Sequence, residues 1–148
     1  MTGLKTLGCA LLLALIIGQP VLADDDVLVV IVSPRSGPVE LGRSELIHLY
    51  MGRISRLPSG VSALPLDLDS AREPFYAGLV NKRLPEINAY WARLVFSGRA
   101  SPPRRVATVA EMLDIVANNH GAIGYVYRGD VDERVQVVME IALPGVQP

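Results

Sequence analysis

The run Val27-Leu28-Val29-Val30-Ile31-Val32 constrains this chain more than any other feature. Consecutive apolar, mostly β-branched residues leave no polar side to face water. They predict a strand buried on both faces, which requires a layer of structure above it and another below. The expected class is α/β: a small mixed sheet of about four strands flanked by helices. The other strand-like segments are Val61 to Leu66, Ala122 to Tyr127 and Val135 to Ile141.

Helical periodicity fills the intervals. Arg43 to Met51 reads as a short helix with Leu46, Leu49 and Tyr50 on one face, and Gly52 is placed to close it. Ser70-Ala71-Arg72-Glu73 has the pattern of a capping box, in which the serine oxygen takes a free amide and the glutamate reaches back. Pro74 is tolerated there because first-turn amides have no intrahelical partner. Ile87, Tyr90, Trp91, Leu94 and Val95 share one helical stripe, and the neighbours Tyr90 and Trp91 suit core packing better than ligand stacking. Thr108 to Glu111 is a second capping box, followed by the stripe Val109, Met112, Leu113 and Val116. Asn118 to Gly121 stops that helix, with Gly121 suited to a left-handed cap. Tyr125 and Tyr127 share a strand face on which a groove could form. No repeat or low-complexity linker divides residues 24–148, which read as one domain.

Residues 1–23 have the three parts of a secretion signal. Lys5 supplies the positive start, Ala10 to Ile17 the apolar core, and Val21-Leu22-Ala23 the cleavage site. The apolar run is too short for a ~30 Å hydrocarbon core, and Asp24-Asp25-Asp26 favours release over retention as an anchor. Cys9, the sole cysteine, precedes the apolar run instead of ending it, which argues against lipidation. Cleavage therefore removes all thiol chemistry. The expected location is periplasmic or secreted, in a bacterial setting.

Enzyme chemistry finds little support. The 14 basic and 15 acidic side chains give no footprint for nucleic acid. His48 and His120 lack partners at metal-ligand spacing, and no serine elbow, Walker loop or dinucleotide fingerprint occurs. No enzyme, metal or cofactor is expected. Asp67 and Asp69 are the one carboxylate pair that could act as acid and base or hold a cation. Alternation places both on one side, a pattern more often found at a solvated strand end before a helix cap.

Leu46 to Ile54, Tyr90-Trp91, Phe96-Ser97-Gly98 with Pro102-Pro103, and Gly121-Ala122-Ile123-Gly124-Tyr125 carry a family likeness. The chain resembles the phosphate-binding substrate proteins of ABC transporters, of the type II periplasmic binding protein class, and in particular short exported relatives amounting to about one lobe. The resemblance implies a periplasmic binding protein-like lobe, with one wall of the two-lobed phosphate cleft absent. It also places Asp67 where the family has its anion-binding arginine. An R-S-D-G-S-G-T turn is replaced by Asp67-Leu68-Asp69-Ser70-Ala71-Arg72-Glu73. Two carboxylates would repel a dianion, while a helix N-terminus with Arg72 would attract one.

The candidate ligand-binding residues are thus Asp69, Ser70, Ala71 and Arg72, with Ser33 after the first strand and Ser97 and Gly98 after the amphipathic helix. Strand carboxyl ends favour the loops at Ser33 and Asp69-Ser70. Arg99, Arg104 and Arg105 form a local basic patch around Pro102-Pro103. Two functions follow from the resemblance. One is a solute-binding module for a small anion such as phosphate, served by a membrane transporter and completed by a homodimer or partner. The other is an interaction or sensor module that has lost phosphate binding.

Overall fold

The computed structural model describes residues 26–37 and 39–145; the expected secretion signal at residues 1–23 lies outside them. The apolar run forms β1 (Leu28–Val32), every residue of which has 0% exposure. It is followed by α1 (Arg43–Tyr50), β2 (Leu64–Leu68), α2 (Arg72–Val80), α3 (Leu84–Phe96), β3 (Arg104–Val106), α4 (Val109–Asn118), β4 (Ala122–Tyr127) and β5 (Gln136–Ile141). The sheet is mixed and five-stranded, in the order β3-β2-β4-β1-β5. β2 runs parallel to β3 and β4, whereas β1 is antiparallel to β4 and β5.

The two layers required by β1 are present, and β4 shows how they divide. Neighbouring residues on a strand point to opposite faces. A Cβ on Gly124 would meet the Met112 side chain of α4. The next residue, Tyr125, stacks on Phe75 of α2 with ring centroids 3.6 Å apart and lies 5.9 Å from the ring of Tyr50 in α1. α4 therefore covers one face, and α1 and α2 cover the other.

Several expectations change. The second strand begins later than Val61 and runs on to Leu68, and the fifth strand, β3, is only three residues long. So short an element carries no periodicity to read. The Ser70–Glu73 box does not form: Asp69–Ala71 make a 3-10 turn, Ala71 takes the cap position of α2, and no side chain caps it. Ala71 is buried and Ser70 exposed, so burial sets the turn and leaves the serine in solvent. In α4 the Thr108 hydroxyl does accept the Glu111 amide, at 3.2 Å. Gly121 does not adopt a left-handed cap. It is glycine for space, because a Cβ there would collide with the Ser62 carbonyl where β2 and β4 meet. The stripe on α3 is narrower than its spacing suggests: Ile87 and Trp91 are buried, but Val95 is 53% exposed.

Candidate functional site

β2 and β4 pair in register only at Leu64–Ala122 and Pro65–Ile123. Proline has no amide hydrogen to continue the ladder, and beyond it the two strands are joined by side chains. The Tyr50 hydroxyl lies 2.9 Å from the Leu66 carbonyl and 3.2 Å from that of Ile123, bridging the strands. One step further, the Tyr125 hydroxyl of β4 donates to Asp67 Oδ1 of β2 at 3.1 Å. This junction leads to the carboxyl ends of two parallel strands, where open α/β sheets place their ligand crevices.

Asp67 is 1% exposed and occupies the centre of the junction. Besides Tyr125 it accepts from the Tyr76 hydroxyl at 3.1 Å and from Arg72 Nε at 2.9 Å. A buried carboxylate needs this much compensation, since an unpaired one would be driven to neutrality. Burial nevertheless raises its pKa above the ordinary aspartate value, with Arg72 and the two hydroxyls pulling the other way. Burial and the adjacent carboxylate raise the pKa values of Tyr76 and Tyr125, which remain proton donors. Burial opposes the charge on Arg72, but Asp67 outweighs it and holds the guanidinium above its usual value.

The expected site residues divide. Arg72 is not a free anion fork: its Nε is taken by Asp67, and its Nη2 donates to Asn88 Oδ1 at 3.2 Å. Asp69 does not pair with Asp67 on one open side. It is exposed and bound by Arg105 Nε at 2.7 Å. Ser70 and Ala71 lie beside it in the 3-10 turn. Ser33 is remote from this group. β1 is antiparallel to β4, so its carboxyl end at Val32 lies beside Ile123, at the start of β4, and the turn at Asp69 follows the opposite end of the sheet. Its hydroxyl accepts the Arg35 amide at 3.2 Å. Ser97 and Gly98 close α3: Gly98 has φ +67°, and the Ser97 hydroxyl donates to the Leu94 carbonyl at 3.1 Å. Tyr125 lines no open groove, because it has 0% exposure in the aromatic cluster.

Sequence reasoning missed a groove of about 530 Å³ beside this cluster. Arg72 and Arg105 border it, and Trp91, Val95, Phe96 and Pro103 supply apolar walls. Phe96 is 95% exposed at the end of α3. The available signal was its position: Phe96 is a large apolar residue lying off the Ile87–Trp91 stripe, at a helix end where no core can receive it. The Trp91 indole N–H is buried without a hydrogen-bond partner among the described residues.

No family model and no curated protein sequence matches the chain. Solved structures do. An ABC-type phosphate transport receptor from Vibrio cholerae matches at 17% identity and a TM-score of 0.53, over 76% of this chain and 45% of the receptor. A phosphate ABC transporter substrate-binding protein from Clostridium perfringens, solved with bound phosphate, matches at 17% identity and a TM-score of 0.58, over 76% of this chain and 44% of that one. PstS from Borrelia burgdorferi gives 15% identity and a TM-score of 0.53, over 83% and 49%. The chain spans less than half the length of each of these proteins. It has the fold of part of a phosphate receptor, a periplasmic binding protein-like α/β lobe.

Proposed function

We propose that this chain is an exported, non-enzymatic binding module on a receptor-lobe scaffold, in which the anion turn is closed from inside and the groove beside α3 docks a partner protein. Asp67 carries this reading. It fills the β2–β4 junction and occupies Arg72, the one cation at the start of α2. An oxyanion at this turn would face the exposed Asp69 and would find the nearest guanidinium already neutralised.

The partner is defined by what the groove offers. Trp91, Val95, Phe96 and Pro103 accept an apolar side chain. Arg105 borders the same groove with its side chain exposed, held by Asp69 alone among the described residues. A segment with an aliphatic or aromatic anchor flanked by carboxylates is complementary to that surface. An extracytoplasmic transporter or sensor protein presenting such a segment is the class of partner proposed.

Trp91 is the sole tryptophan and lines the groove, so its fluorescence reports occupancy. A glutamate-leucine peptide should change that emission saturably, and its lysine-leucine counterpart should not. Phe96→Ser should weaken the response without altering stability. Phosphate is the opposing arm. Saturable movement of the amide resonances of residues 69–73 on adding phosphate would overturn the reading in favour of a phosphate-binding turn.

A further inference from the structure

A second concave site lies two residues upstream on β2, at Pro65, and uses none of the charged or hydroxyl groups around Asp67. Gly52 turns the chain after α1 with φ +69°. The next two amides, of Arg53 and Ile54, both donate back to the His48 carbonyl, at 2.8 and 3.3 Å. A Cβ on Gly52 would lie 2.6 Å from the Trp91 ring and 3.2 Å from the Ala100 Cβ. Only glycine lets this turn press against α3 and the segment that follows it. The Tyr90 hydroxyl reinforces the contact by donating to the Met51 carbonyl at 2.6 Å.

The consequence is a meeting of two polar turns. Arg53 and Ser55 from the first share a cleft of about 430 Å³ with Arg99 and Ser101 from the second. Leu49 and Pro65 complete its walls, and no carboxylate lines it among the described residues. Neither arginine forms an ion pair among the described residues. Two guanidinium groups brought to one concavity repel each other unless an anion lies between them. Each offers a planar fork of donors that matches an oxyanion in pairs, and the serine hydroxyls add two more donors. The backbone of both turns is already held by its own hydrogen bonds, so little ordering remains to oppose binding.

We infer that this cleft binds a small free oxyanion, of the phosphate or sulfate type, between Arg53 and Arg99. The inference is independent of the docking groove and of the turn at Asp69.

The test is titration of the isotope-labelled protein with inorganic phosphate and, separately, sulfate. Amide resonances of residues 52–55 and 98–101 should move together and saturably. Arg53→Gln and Arg99→Gln should each weaken binding about tenfold, the usual effect of losing a charged hydrogen-bonding group. Both side chains are exposed, so neither change threatens the fold. Arg104→Gln removes the same charge outside the cleft and should leave affinity unchanged. An equal loss in Arg104→Gln would reduce the effect to overall charge and overturn the site. So would the absence of saturable movement, or binding seen only with phosphatidylglycerol vesicles. Movement confined to residues 69–73 would reject this site and, separately, the closed anion turn.

Discussion

At the scale of single residues, Asp67 sets the chemistry of the sheet junction. It is almost fully buried and receives three donors, yet burial still leaves its pKa raised. An acid whose folded-state pKa exceeds its unfolded value binds protons more tightly when folded. The stability it contributes is complete below the unfolded value of about 3.9 and is lost as pH climbs through the folded value. Urea unfolding of the wild type and of Asp67→Asn at matched pH values isolates this group, since all other titrations are common to both. The wild type should lose stability relative to Asp67→Asn as pH rises from about 4. A relative gain would mean that Arg72 and the two tyrosines overcome desolvation and hold Asp67 below its ordinary value.

At the scale of elements, two helices with similar start signals are stabilised differently. Thr108 accepts the Glu111 amide and caps α4, whereas Ser70 makes no cap bond to α2. Thr108→Ala should therefore lower stability by about 1 kcal/mol, while Ser70→Ala should stay within about 0.5 kcal/mol of wild type. Denaturant midpoints decide the matter, and equal losses would show that Ser70 caps α2 after all. The difference comes from Ala71, whose burial draws the chain into a tight turn before the helix can use the serine. A capping motif is a local pattern, and a buried neighbour can override it.

At the scale of the whole molecule, one continuous core joins both helical layers to the sheet. Ile87 and Trp91 of α3 belong to the same buried cluster as β1, α1, α2 and α4. Unfolding should accordingly be a single transition, with Trp91 fluorescence and far-ultraviolet circular dichroism giving coincident midpoints. An earlier fluorescence midpoint would show α3 separating from the rest.

The amino-acid sequence by itself determined the class of this fold: the two-faced burial of β1, the strands at Ala122 and Val135, and helices α1, α3 and α4 follow from periodicities confined to a few neighbouring residues, whereas α2 was marked only by a start pattern whose cap does not form. Its resemblance to phosphate receptors marked the turn at Asp69 as one candidate place for anion binding, beside Ser33 and Ser97-Gly98. What that turn contains was decided only in three dimensions. Asp67 is closed off partly by Tyr125, 58 positions away. The pairing of Arg105 with Asp69 and the meeting of Arg53 with Arg99 likewise join distant segments. Side-chain periodicity records which face of an element is buried, because that depends on local geometry. The charge that neutralises a given group depends on how the strands and turns are brought together, and local spacing carries no record of it.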